Sequence, residues 1–432
     1  MVVAAWLPRA AAAWPRRTAL ETPEESITYG DLCRRAEAVA RRLAGQGVGP
    51  GDRVALALPG GVGFAEALHG CWLLGAVAAP VDVRLSERER AGQLAGAAVV
   101  VEGPLEGAER AGVQLAAGHH VEAVAAVVHT SGSAGAPKPV ELTYGNWLWS
   151  ALGSAVALGL DPAERWLCAL PVAHVGGLSI LVRSAIYGTT AIVHPRFEAD
   201  RAVAALAGAS VTSLVPAMLA RLLEAGWPGP GSLRCALVGG GPVPAALLER
   251  ASAAGVPLAQ TYGLTEACSQ VTTSDIGDPT TAGRPLFCTR VDIGERGEIL
   301  VRGPTVAPAA GPVLHTGDLG ELDAAGRLAV RGRASELIVS GGENVSPVEV
   351  EAVLEAHPAV AEAAVHGRPD PQWGEAVVAT VVLRDGRHAD EADLRAHCRA
   401  ALAGFKVPKA IAFARSLPRT AAGKLRREAL TD

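Results

Sequence analysis

The stretch TSGSAGAPKP, residues 130–139, holds three hydroxyls (Thr130, Ser131, Ser133), small residues (Gly132, Ala134, Gly135) and a lysine. Small residues let backbone N–H groups approach an anion closely, the hydroxyls add donors, and Lys138 brings a compact positive charge. That chemistry suits phosphate, although any Ser/Gly-rich loop presents the same composition. The Walker A spacing is absent, and Lys138 is followed by Pro139. Only four lysines occur (Lys138, Lys406, Lys409, Lys424) among 39 basic residues. Where nearly every cation is arginine, a retained lysine points to a need for an ammonium; drift is the plain alternative.

Three more segments offer complementary chemistry. In TYGLTEACSQ, Thr261, Tyr262, Gly263 and Thr265 surround Glu266, whose carboxylate suits a Mg²⁺ bridging phosphate oxygens, or is simply solvated. HTGDLGEL sets Asp318 in a turn, where it accepts from ribose hydroxyls or merely forms the turn. PRTAAGKLRR places Lys424 near the C-terminus, where a frayed tail is the default. His174, beside Gly176 and Gly177, either gates a pocket or packs as a satisfied histidine at a strand end.

The elements that must position these residues alternate. TYGDLCRRAEAVARRLAGQGV, FAEALHGCWLLG and VPAMLARLLEAG show helical spacing; DRVALALPG, RWLCALP, GTTAIVHP and LRCALVGGG read as short buried strands. The alternation predicts a layered α/β fold with mainly parallel sheets. After about residue 285 short strands and tight turns take over, and SPVEVEAVLEAHPAV opens an α+β segment. Ser346 is expected as its N-cap, Pro347 as the first helical residue and Glu349 as the partner in a capping box. The boundary is expected between Arg333 and Glu336, giving a large domain over 1–333 and a smaller one over 334–432.

Composition excludes other classes. A length of 432 residues calls for more than one core, and a net charge of −5 lacks the basic excess of nucleic-acid binders. The seven cysteines are dispersed with no CxxC pair, which favours a reducing cytosol over disulfide or zinc scaffolds. The N-terminal apolar run precedes its charges, the reverse of a signal peptide, and no apolar run is long enough to span a membrane. A soluble, cytoplasmic protein is expected. Neither G-x-S-x-G nor G-x-G-x-x-G is present, against hydrolases and dehydrogenases.

In order and spacing, TSGSAGAPKPV, PVAHVGG, LVGGGPVP, TYGLTE, HTGDLG, RGRASELIVSGGENVSPVEVE and PRTAAGKLRR resemble the motifs of the adenylate-forming superfamily of acyl-CoA synthetases, luciferases and adenylation domains. The resemblance implies a large layered domain and a small mobile one, with ATP, Mg²⁺ and coenzyme A as cofactor and co-substrates. It implies that Thr130, Ser131, Gly132, Ser133, Ala134, Gly135 and Lys138 hold the outer phosphates. Thr265 would stand by the α-phosphate and Glu266 on Mg²⁺. Asp318 and Arg333 would fix the ribose, while Gly239, Gly240, Thr261, Tyr262 and Gly263 border the adenine or acyl group. Lys424 would be the catalytic lysine, and the small domain would turn about Ser335 to bring Gly341 and Gly342 beside the pantetheine. Many members are dimers, so a homodimer enters as an expectation.

LPVAHVGGLSILVRSAIYGTTAIVHPRF and TYGLTEACSQVTT further resemble the o-succinylbenzoate–CoA ligases of menaquinone biosynthesis. By that likeness His174, Arg183, Gly240, Ser269 and Gln270 would contact an aromatic carboxylic acid. A spare carboxylate needs a cationic partner, although Arg183 could equally sit on a helix surface. Two departures stand out: Pro139 replaces the usual glycine after the loop lysine, and TVAPAAGPVL is abbreviated. Another acyl-CoA ligase, an enzyme loading a carrier protein and a non-catalytic nucleotide-binding protein remain as alternatives.

Overall fold

The computed structural model describes residues 1–130, 138–419 and 425–430. Two largely parallel sheets form the bulk of the molecule. The larger runs Arg284–Pro285, Ser269–Thr273, Leu258–Leu264, Cys235–Val238, Val211–Leu214, Arg165–Cys168, Thr190–Val193, Thr18–Glu21, Ser26–Thr28. The second runs Val99–Val101, Arg53–Leu56, Val77–Pro80, Val124–Thr130, Lys138–Thr143. Their central strands are four-residue apolar segments such as CALV and TAIV, buried at every position. A strand covered by helices on both faces has no polar side to alternate with, which is why these read as continuous apolar runs.

Helices fill the space between strands. The helix Tyr29–Gly45 starts where Thr28 accepts from the Asp31 amide, and it packs along Val62–Leu74. In the latter, Gly70 allows the approach, since a Cβ there would lie 2.6 Å from Val39. After the larger sheet the chain changes to an antiparallel sheet of Arg290–Ile293, Glu298–Arg302, Leu314–Leu322 and Leu328–Arg333. A last sheet draws only on residues 338–413, with Gly374–Leu383 at its centre, paired with Ile338–Ser340, Val360–Asp370 and Ala410–Phe413. Its core (Ile338, Val345, Val350, Leu354, Val365, Val377, Val381, Leu394, Ile411) contains no residue from the preceding sheets. No helix among the described residues is long and apolar enough to cross a membrane. All seven cysteines are free thiols.

The helix Pro347–Glu355 begins after Ser346 with Pro347 in its first turn, but the expected capping box does not form. Ser346 Oγ donates instead to the Arg331 carbonyl at 2.7 Å, and the Glu349 carboxylate accepts from Lys406 Nζ at 2.6 and 2.7 Å. Longer-range partners outcompete the local ones.

At the other end of that helix, burial drives the Glu355 carboxyl up to about 7, against a hydrogen bond from the Ala363 amide at 3.3 Å. A raised carboxyl pKa means the folded chain holds the proton longer than the unfolded one. The stability this group contributes is present below the unfolded value near 4.5 and is lost as pH rises through about 7. Glu355→Gln is expected to remove on the order of 2–3 kcal/mol of that pH dependence. Thermal unfolding scans at pH 5 and pH 8 would show the parent losing stability between them and the variant losing far less.

Candidate functional site

The strands Val124–Thr130 and Lys138–Thr143 form an antiparallel pair whose open end joins Thr130 to Lys138, with Thr130 Oγ1 donating to the Lys138 carbonyl at 3.4 Å. Ser131, Gly132, Ser133, Ala134 and Gly135 lie outside the described residues. Lys138 is exposed at the start of the strand. Pro139 faces His129 on the edge strand of its sheet, the position where a missing N–H disturbs pairing least.

The strand Leu258–Leu264 leads into a tight turn, Thr265–Ala267, and returns as Ser269–Thr273. Gly263 cannot be replaced there: a Cβ would fall 1.7 Å from the Ser269 carbonyl oxygen. Cys268 and Ser269 take φ of 53° and 91°, conformations that cost non-glycine residues on the order of 1–3 kcal/mol. The Cys268 carbonyl is held by Ser150 Oγ at 2.6 Å. The turn presents Thr265 and Glu266 partly exposed, and among the described residues the Glu266 carboxylate has no ion-pair partner. The abbreviated segment after Gly303 braces this turn from behind. Its Ala307 amide donates to the Glu266 carbonyl at 2.8 Å, and Asn146 Nδ2 donates to the Pro304 and Val306 carbonyls. Gly239 and Gly240 end the neighbouring strand Cys235–Val238, with Gly239 against Thr261.

Asp318 is buried within the strand Leu314–Leu322, not in the turn expected for it, and lies opposite Arg333 in its sheet. Its carboxylate accepts from Tyr262 Oη at 2.8 Å and from Arg333 Nε at 3.0 Å. Burial, and then the Asp318 charge, drive the Tyr262 hydroxyl strongly upward, so it remains a proton donor. Three distant segments, TYGLTE, HTGDLG and RGR, therefore meet at one carboxylate.

His174 stands at the position before the helix Val175–Tyr187, without a capping bond from its side chain, and is partly exposed, so it is not a packed histidine at a strand end. Its Nε2 lies 3.3 Å from Asp82 Oδ2 and 3.1 Å from Arg84 Nη2. Arg84 grips Asp82 through Nε at 2.8 Å and Nη2 at 2.6 Å. Burial pushes the Asp82 carboxyl up, but the bonds from Arg84 and His174 outweigh it and hold the group below the ordinary carboxylate range. Asp82 and Arg84 were missed in the sequence; their only signal is the D-x-R spacing in VDVRL after the strand Val77–Pro80.

Arg183 lies inside, not on a helix surface, at 2 % exposure. Its Nη2 donates to Ser150 Oγ at 3.3 Å, and its guanidinium lies 5.6 Å from the Trp166 ring. Its Nε–H has no acceptor, and no carboxylate among the described residues pairs with it. Burial lowers its pKa from the ordinary arginine value. Through Ser150 this cation joins the Cys268 carbonyl, next to Ser269 and Gln270, whose Oε1 is also buried without a partner.

Gly341 and Gly342 form the two-residue turn between Ile338–Ser340 and Glu343–Val345, both at positive φ, the conformation a tight hairpin of this kind requires. The Gly341 amide donates to the Trp373 carbonyl at 2.8 Å, and Lys409 Nζ lies 4.6 Å over the Trp373 ring. Lys424 lies outside the described residues. Its neighbours do not: Leu425 bridges Arg419, and the Arg426 amide donates to the Pro418 carbonyl at 2.9 Å.

Models of the AMP-binding enzyme match residues 7–105 and 102–309, and that of the AMP-binding enzyme C-terminal domain matches residues 349–424. The 2-succinylbenzoate–CoA ligase of Geobacillus kaustophilus is 40 % identical, with 98 % of this chain and 96 % of that protein covered. That of Bacillus licheniformis is 39 % identical, with 98 % of each covered. Among solved structures, o-succinylbenzoate CoA synthetase from Bacillus subtilis in complex with its acyl-adenylate intermediate aligns over 100 % of this chain and 99 % of its own, with TM-score 0.92 and 36 % identity. A double mutant of that synthetase bound to a product analogue aligns over 100 % of this chain and 98 % of its own, again at 36 % identity, but with TM-score 0.74. With models matching most of its length and relatives similar from end to end, the chain belongs to the AMP-binding enzyme family.

Proposed function

We propose that this chain is an AMP-forming o-succinylbenzoate–CoA ligase. It would join a substrate carboxylate to the AMP moiety of ATP with release of pyrophosphate, then pass the acyl group to the thiol of coenzyme A. The observation that supports the acid is Arg183, a buried guanidinium with a spare N–H and no carboxylate partner among the described residues. An uncompensated buried cation is costly, and the second carboxylate of a dicarboxylic aromatic acid offsets that cost. Near-complete coverage by 2-succinylbenzoate–CoA ligases supports the same reading.

In the first step two anions meet, so donors and positive charge must offset their repulsion. Thr130, the hydroxyls of residues 131 and 133 and Lys138 are proposed to hold the outer phosphates, Thr265 the α-phosphate, and Asp318 with Arg333 the ribose. Glu266 fits a magnesium ion: its carboxylate is partly exposed and unpaired among the described residues, and such ions take one or two carboxylates beside phosphate oxygens. Bound there, the ion would neutralise phosphate charge. Lys424 is proposed to bridge the attacking carboxylate and the α-phosphate. His174, held by Asp82 and Arg84, would border the acyl group with Gly240 and Ser269. For the second step residues 334–432 are proposed to turn about Ser335, bringing Gly341 and Gly342 to the thiol path. The better alignment to the adenylate complex than to the product-analogue complex supports two such arrangements, this chain lying nearer the first.

The free thiols suit a cytoplasmic setting. A homodimer belongs to the same proposal and is read by light scattering. The test is pyrophosphate release from Mg·ATP with o-succinylbenzoate and a panel of benzoic and fatty acids, with and without coenzyme A. Selective release with o-succinylbenzoate, and its thioester by mass spectrometry, is the expected result. Preference for another acid, or no thioester on free coenzyme A, would overturn it.

A further inference from the structure

Arg427 ties together four parts of the small lobe. Its Nη1 donates to Glu336 Oε2 at 2.7 Å, and its Nη2 to both Glu351 oxygens, at 2.8 and 2.7 Å. Its Nε reaches the Val365 carbonyl and Glu351 Oε1, both at 3.2 Å. Glu351 Oε1 also accepts from the Val365 amide at 2.8 Å. Glu336 closes the turn Ala334–Glu336, Glu351 lies on the helix Pro347–Glu355, and Val365 lies on the strand Val360–Asp370. The Arg427 side chain is 17 % exposed and that of Glu351 10 %, so water screens this network little. Burial raises the Glu351 carboxyl and the Arg427 charge opposes that rise, which marks the pair as mutually dependent.

The fork lies three residues beyond Lys424. The chain on both sides of residues 420–424 is fastened: Leu425 bridges Arg419, Arg419 Nη2 pairs with Glu362 Oε2 at 2.6 Å, and Leu425, Leu417 and Leu430 pack around Ala364. Arg427 alone among these links also reaches the residue immediately past Ser335.

We propose that Arg427 is a positioning residue for Lys424. Its guanidinium registers the chain that follows Lys424 against the segment about which the lobe turns, so that rotation delivers the ammonium to one place rather than a range of places. The inference rests on the two-step reading above. Reaction rates fall steeply when a catalytic group is misplaced by even an ångström, by about a hundredfold. The second step does not use Lys424, so Arg427 should matter there only through general stability.

The test uses the full chain with Arg427→Met, and with Arg427→Met combined with Glu351→Gln, which removes the charge that the single change leaves buried and unpaired. Two half-reactions are followed: pyrophosphate formation, and thioester formation from supplied acyl-adenylate. In the double variant the first is expected to fall about a hundredfold while the second stays within about threefold. Amide hydrogen exchange over residues 417–430 is expected to accelerate in both variants, whatever the acid. Parallel losses in both half-reactions would show a merely structural role and overturn the proposal; unchanged pyrophosphate formation, or unchanged exchange, would overturn it too. Absence of pyrophosphate release in the parent with every acid, alongside accelerated exchange in the variants, would overturn the enzymatic reading and leave Arg427 as an anchor only.

Discussion

Lys424→Ala is expected to slow acyl-adenylate formation by about a thousandfold, the scale seen when one preorganised donor is removed from developing negative charge. The carboxylate and the α-phosphate repel each other as they close, and a compact ammonium between them is the economical way to lower that barrier. Lys424→Arg should recover little, because a planar fork on a longer stem cannot occupy the same point. Thioester formation from supplied acyl-adenylate should stay within about threefold of the parent, since that step develops no charge needing this cation. Rapid-quench measurement of both half-reactions separates the outcomes. Equal losses in the two steps would remove Lys424 from the proposed role.

Arg183→Met is expected to lower kcat/KM for o-succinylbenzoate by on the order of a thousandfold, as sites built to pair a charged or polar substrate group discriminate by factors of that size or more. An analogue lacking the second carboxylate should change by no more than about threefold, because it never used the cation. Stability provides the internal control. The variant loses a contact with Trp166 worth about 0.5–2 kcal/mol but also removes a desolvated charge that has no counter-ion among the described residues, and the two effects nearly cancel. A thermal transition close to that of the parent is therefore expected beside a large kinetic loss. Equal losses for the diacid and the monoacid would refute a specificity role.

The sheets were legible because their strands are short apolar runs between turn residues, and the antiparallel region after residue 285 declared itself by its tight turns. The motif order was legible too, since it resides in local strings. What escaped was pairing across distance. Asp82 and His174 are 92 positions apart in the chain, and Glu336 and Arg427 are 91 apart. Nothing local marks either pair. Ser346 and Glu349 fit a capping box by spacing, yet each found a better partner, Arg331 or Lys406, that only the folded chain supplies. Arg183 shows the same limit in reverse. Its helix is apolar around most of its circumference, so spacing alone gave no face on which to place a cation.

The last sheet completes its own apolar core from residues 338–411, and the clusters of the preceding sheets end at Leu328. Polar contacts, among them Ser346 with the Arg331 carbonyl, join the two sides near Ser335. If the lobe turns as proposed, without opening either core, it would present nearly the same core hydrocarbon to water in both orientations. Its reorientation should then carry almost no heat-capacity change, and the balance between orientations should shift little with temperature on that account. On that proposal, the modest contacts of a nucleotide or a thiol would suffice to tip the lobe either way across the temperatures a cell meets.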